Sequence, residues 1–88
     1  MTSDIEIYST AICSYCIAAK NLLQARGLRW RELRIDQDPA ARAVMLERSG
    51  GRRSVPQIFI NGLHVGGFEE LAAAEHSGKL TQLLEATS

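Results

Sequence analysis

The chain has 88 residues, 45% of them apolar, and its ten basic and ten acidic side chains leave a formal net charge of zero. That length suits a single domain, residues 1–88, able to bury its own core, and the balanced charge leaves no basic surplus to neutralise a nucleic-acid backbone. No apolar run approaches the roughly 20 residues of a membrane helix.

The opening stretch, MTSDIEIYS, lacks the charged and apolar regions of a signal peptide. Two cysteines are also fewer than a small secreted domain usually carries, so the expected compartment is the reducing cytoplasm. IEIYS, Ile5 to Ser9, alternates apolar and polar residues and predicts a strand. From Cys13 the period changes. Ile17, Ala18, Leu22, Leu23 and Ala25 recur at helical spacing, and Gly27 stands where a helix stops. WRELRID, Trp30 to Asp36, alternates again and predicts a second strand. Asp38 then offers an N-cap, Pro39 suits the first helical position, and Gly50-Gly51 ends that helix. PQIFI, residues 56–60, predicts a short buried strand. Asn61-Gly62 is a two-residue hairpin signal, and LHVGG, residues 63–67, is the return strand. From Phe68 the chain predicts two helices broken at Ser77-Gly78.

This order places a right-handed β-α-β unit with parallel strands before an antiparallel hairpin. The fold class is α/β, a four-stranded mixed sheet with flanking helices. The CxxC of Cys13 and Cys16 lies where the first strand passes into the first helix, the arrangement of thioredoxin-like redox proteins. A helix N-terminus offers unsatisfied N–H groups and about half a positive charge. Both stabilise a thiolate, and cysteines so placed titrate at about 3.5–7.5 instead of about 8.5. The thiolate is the nucleophile of disulfide exchange. Cys16 lies one turn further in, on the same face, within reach of a disulfide to Cys13. Cys13 is therefore expected to attack and Cys16 to resolve.

CSYC after the first strand, SVPQIFING (residues 54–62) and GGFEEL (residues 66–71) together resemble the glutaredoxin family over nearly the whole chain. The resemblance implies the thioredoxin fold and the use of glutathione to reduce protein disulfides and glutathione mixed disulfides. It implies a cis proline at Pro56, with the backbone of Val55 free to pair with the cysteinyl group of glutathione. Gly66 and Gly67 let a ligand backbone approach. Phe68 and Glu69 open a helix whose N–H groups suit the γ-glutamyl carboxylate, and Glu69 meets the ammonium. Tyr15 flanks the thiols. Arg52, aided by Gln57, pairs with the glycine carboxylate. The implied partners are glutathione and glutathionylated or disulfide-containing proteins, with a monomer as the working form.

Three departures from the family pattern carry consequences. Ser14 replaces the proline of CPYC, restoring a backbone N–H that is expected to alter stabilisation of the Cys13 thiolate. Thr10 stands where many members carry lysine, so Arg52 or Arg53 compensates or glutathione binds more weakly. Glu69-Glu70 replaces Asp-Asp, which shifts the carboxylate by a methylene. Some members with serine in the motif hold a [2Fe–2S] cluster between two chains, through the first cysteine of each and two glutathiones. The alternative function is therefore a cluster-bridged dimer, with Cys13 as its iron ligand.

Plainer readings of the cysteines are weaker. A closed zinc site wants four ligands, and only His64 and His76 accompany the two cysteines, without ligand spacing. Both histidines are expected at the surface. A static bridge closing so short a loop would stabilise little on the loop-entropy model. Trp30 and Met45 are expected to pack, and Phe68 to lie either in the core or on the cleft rim. Reductants that draw electrons from a flavoprotein reductase carry a tryptophan-containing motif where this chain has GGFEEL, which favours glutathione.

Overall fold

The computed structural model describes residues 3–85. Its elements in order are β1 (Ile5–Ser9), α1 (Ser14–Ala25), β2 (Arg31–Arg34), α2 (Pro39–Arg48), β3 (Gln57–Ile60), β4 (Leu63–Gly66), α3 (Phe68–Ser77) and α4 (Lys79–Glu85). The sheet order is β2-β1-β3-β4, with β1 parallel to β2 and the remaining pairs antiparallel. This is the expected four-stranded mixed sheet. Among the described residues no helix is long and apolar enough to cross a membrane.

Strand alternation explains why helices cover both faces. Successive side chains point to opposite sides of a strand. Ile5, Ile7, Ile58 and Ile60 pack with Ala19 and Leu23 of α1, Leu71 and Ala74 of α3, and Leu80 of α4. Tyr8 and Phe59 face the other way, against Ala41 and Met45 of α2 and the buried Ile35. Leu22, Trp30 and Phe68 pack from the side onto the first cluster. Phe68 also reaches the cleft described below, so it serves both core and rim.

The second face contains a charged side chain that the sequence pattern did not single out. Arg48, in the last turn of α2, donates to the Tyr8 hydroxyl at 3.0 Å and to Glu6 Oε1 at 3.1 Å. Its guanidinium carbon lies 3.9 Å from the centroid of the Phe59 ring. The apolar stem packs while the planar head finds acceptors and an aromatic face.

Element ends follow local chemistry. Asp38 caps α2 by accepting from the Ala40 N–H at 3.0 Å, and Pro39 fills the first helical turn. Asn61 and Gly62 take φ of 52° and 83°, the left-handed pair that a tight hairpin needs. Three strands are shorter than the sequence predicts. β2 pairs only as far as Arg34, opposite the last residue of β1, and Asp36 leaves the ladder. β3 begins after Pro56, which has no N–H for a ladder. β4 stops at Gly66 because Gly67 already caps α3.

α1 carries the CxxC and is fixed by Leu23, which is fully buried. Leu23→Ala should lower stability by about 2–5 kcal/mol. Denaturant unfolding checks this, and a loss below about 1 kcal/mol would mean α1 is not clamped by this contact.

Candidate active site

Cys13 is the N-cap of α1, with extended backbone, and its sulfur accepts the Cys16 N–H at 3.1 Å. Serine or aspartate oxygens ordinarily make this bond; here a sulfur makes it. Cys13 and Cys16 are joined as a disulfide, their Cα atoms 5.2 Å apart. Cys13 is half-buried, whereas Cys16 is 1% exposed. An incoming disulfide can therefore reach Cys13 and not Cys16.

Two neighbours fix the loop that presents Cys13. The Val55–Pro56 peptide bond is cis, and the Val55 carbonyl oxygen lies 3.9 Å from Cys13 Sγ. On the other side, Asp36 Oδ2 accepts the Ala11 N–H at 3.0 Å. Arg34 clamps Asp36 with two hydrogen bonds of 2.8 Å. The Arg34 bonds, aided by the Ala11 N–H, bring the Asp36 carboxyl down to about 2. The anchor is thus charged throughout the neutral range. The residue that left the ladder of β2 holds the dithiol loop instead.

A cleft of about 150 Å³ opens beside Cys13, lined by Tyr15, Arg52, Ser54, Val55, Pro56, Gly67, Phe68, Glu69 and Glu70. The residues that the sequence assigns to glutathione, Tyr15, Arg52, Val55, Pro56, Gly67, Phe68 and Glu69, all come together here. Tyr15 and Phe68 face each other with ring centroids 6.1 Å apart. Gln57 does not join them. It is fully buried, its amide nitrogen donates to Ser54 at 3.0 Å (carbonyl) and 3.2 Å (hydroxyl), and its oxygen lies 2.7 Å from His64 Nε2. Gln57 therefore braces the proline loop from beneath. His64 stacks on Phe59 with centroids 4.9 Å apart, and burial, then the Arg52 charge, lower its pKa.

Glu70 has a part that the sequence reading did not give it. Its Oε1 accepts the Gly67 N–H at 2.8 Å and the Arg52 Nη1 at 2.9 Å. The first bond is half of a capping box; glycine has no side chain to supply the other half. The second ties the loop before Pro56 to the start of α3, across the cleft. The spacing Gly67 to Glu70 was the available signal. Gly66, at φ 122°, closes the arrangement: a Cβ there would run into the Glu70 side chain, whose Cγ would be 2.9 Å away. Glu69, by contrast, is exposed on the cleft.

A half-exposed sulfur capping a helix, with a buried sulfur one turn behind it, defines a thiol–disulfide oxidoreductase of the thioredoxin fold. The comparisons with known proteins narrow that class. The glutaredoxin family model matches residues 5–65, and the chain belongs to the glutaredoxin family. It is 49% identical over 82 residues to a glutaredoxin of Pseudomonas aeruginosa, covering 93% of this chain and 96% of that one. It is 45% identical over 83 residues to glutaredoxin 3 of Escherichia coli, covering 94% and 99%. Among solved structures it superposes on a buckwheat glutaredoxin–glutathione complex with a TM-score of 0.84 at 31% identity, covering 94% of this chain and 77% of that one.

The Glu70 carboxylate lies below its usual range, chiefly through the Gly67 N–H and then Arg52. A lowered carboxyl stabilises the fold above its unfolded pKa, and that contribution fades as pH falls through the folded value. Glu70→Gln should therefore lower stability at pH 7 by at most about 1 kcal/mol, because the pair is partly exposed. The gap from the parent should close below about pH 4. Unfolding curves across that range check it; a gap that persists in acid would contradict the assignment.

Proposed function

We propose that the protein is one glutaredoxin domain that uses glutathione to reduce protein disulfides and glutathione mixed disulfides. The observation that carries this reading is the cleft beside Cys13, where backbone groups, a carboxylate and a guanidinium converge. The first-turn N–H groups of α3 suit the γ-glutamyl carboxylate, and the exposed Glu69 suits its ammonium. The backbone of Val55 suits the cysteinyl amide, next to the Cys13 sulfur. Arg52 suits the glycine carboxylate: its bond to Glu70 uses one of five donors and leaves the rest. Gly67 lines the cleft without a side chain, which lets a ligand backbone approach.

The chemistry has two routes. In the first, the Cys13 thiolate attacks the glutathione sulfur of a mixed disulfide. The Cys13–glutathione bond forms, and the protein thiolate leaves and takes a proton. A second glutathione thiolate then attacks the sulfur of the bound glutathione, releasing glutathione disulfide and the Cys13 thiolate. In the second route, Cys13 attacks a substrate disulfide and releases one substrate thiolate. Cys16, deprotonated, attacks Cys13 and displaces the other, leaving the Cys13–Cys16 disulfide. Two glutathiones reduce that bond and leave as glutathione disulfide. The Cys16 N–H holds negative charge on Cys13 whenever it is the thiolate. Burial of Cys16 keeps it for the internal step.

A [2Fe–2S] cluster bridging two chains would draw on the same Cys13 sulfur, with its other ligands outside this chain. No feature among the described residues selects that use over the redox cycle. The two cysteines, fewer than a small secreted domain usually carries, favour the reducing cytoplasm, and the redox cycle needs only one chain.

Cys16→Ser should keep most of the glutathione-dependent turnover of a small glutathione mixed disulfide while losing reduction of intramolecular peptide disulfides. Cys13→Ser should lose both. If Cys16→Ser is inactive toward the mixed disulfide while the parent is active, the single-cysteine route is wrong. If the parent itself is inactive with glutathione, the glutathione reading falls. In the same assay Arg52→Ala should raise the glutathione KM several-fold with little change in kcat, the signature of lost uniform binding.

A further inference from the structure

Exposed large apolar side chains are not scattered over the described surface. They are Ile12, Tyr15, Ile17, Val44 and Leu63. Three of the five lie within four residues of Cys13. Tyr15 is accounted for, because it lines the cleft and faces Phe68. Ile12 and Ile17 are not, because neither lines the cleft. At about 100° per residue, Ile17 projects roughly 200° around α1 from Tyr15. It therefore faces away from the cleft.

Ile12 precedes the N-cap and Ile17 is the fourth helical residue. That is the spacing of a hydrophobic staple, in which the two side chains close on each other. Here the staple stands open. Ile12 is 97% exposed and Ile17 54% exposed, so Ile12 has no packing partner. The fold covers almost none of Ile12 and leaves more than half of Ile17 open.

The established reaction supplies the occupant. A polypeptide disulfide that reaches Cys13 Sγ must lie over the start of α1, and neighbouring residues along it follow at about 3.8 Å. We propose that Ile12 and Ile17 are specificity-determining residues that dock a polypeptide substrate through apolar side chains next to its reactive cysteine, outside the cleft. The apolar polypeptide seat and the cleft are thus separate surfaces beside one sulfur. Ile12 and Ile17 form no bond in the reaction. The electron flow is that of the disulfide exchange described above, with Cys13 and Cys16 oxidised and the peptide disulfide reduced to two thiols.

The test needs no glutathione, so it stands apart from the glutathione reading. Fully reduced protein is mixed with either of two synthetic peptides of equal length and charge, each closed by an intramolecular disulfide. In one the cysteines are flanked by leucine, in the other by serine. Bis(hydroxyethyl) disulfide, which has no flanking residues, reports the intrinsic reactivity of Cys13. Single-turnover rates are read by separating thiol and disulfide forms. Covering about 55 Å² of apolar surface at about 25 cal/mol per Å² predicts a preference of about tenfold, or about 1.4 kcal/mol, for the leucine peptide. Ile12→Ser with Ile17→Ser should bring that preference to within about twofold of unity and leave the small-disulfide rate unchanged. Each single variant should lose part of it. The proposal is overturned if the parent shows no preference, if the double variant keeps it, or if all three rates fall together.

Discussion

One hydrogen bond organises the molecule: the Cys16 N–H donated to the sulfur of Cys13. It makes Cys13 the cap of α1 and at the same time the atom where sulfur chemistry occurs. A cap must face the open end of a helix, so the sulfur is presented outward. The partner three residues on lies one turn in, on the face of α1 that Ala19 and Leu23 also turn to the core, so Cys16 is buried. The unequal access of the two sulfurs thus follows from the cap position and the buried face of one helix, before any ligand is considered. The rest of the fold holds that helix end in place. Leu23 and Ala19 clamp α1 to the sheet, Asp36 holds the loop before it, and the Val55–Pro56 turn lies against the sulfur.

The opposite wall of the cleft is built by a second helix start, that of α3. It is capped from within by Glu70, whose carboxylate also takes Arg52. Two helix N-termini therefore border one cleft, one capped by the Cys13 sulfur and the other by the Glu70 carboxylate. This arrangement is the physical content of glutaredoxin membership for this chain. It depends on Gly66, which has a left-handed backbone and no space for a Cβ.

Much of the fold was legible because local signals agreed with one another. Period-two alternation in IEIYS, the Asp38-Pro39 start, and Asn61-Gly62 each specify an element without help from distant residues. The CxxC position was legible for the same reason, and the family motifs carried the cleft residues. What was not legible depends on contacts between segments far apart in the chain. Asp36 reads as the end of a strand, yet its partner is Ala11, 25 residues away. Glu70 reads only as a longer replacement for an aspartate until Arg52, 18 residues earlier, is brought beside it. Gln57 follows the proline and reads as a cleft residue, but strand alternation turns it inward to Ser54 and His64. Arg48 gives no signal in the sequence pattern, and only packing reveals the Phe59 ring beneath it. The open staple at Ile12 and Ile17 is a third kind of case: the spacing is plain in sequence, and only the exposure shows that it does not close.

The central claim is that helix capping makes Cys13 the reacting sulfur and keeps Cys16 behind it. Limited alkylation of the fully reduced protein with iodoacetamide at neutral pH, followed by peptide mass mapping, tests this directly. The account predicts that Cys13 carries the label first, with Cys16 protected until the protein is unfolded. Equal labelling of the two, or Cys16 labelled first, would contradict it.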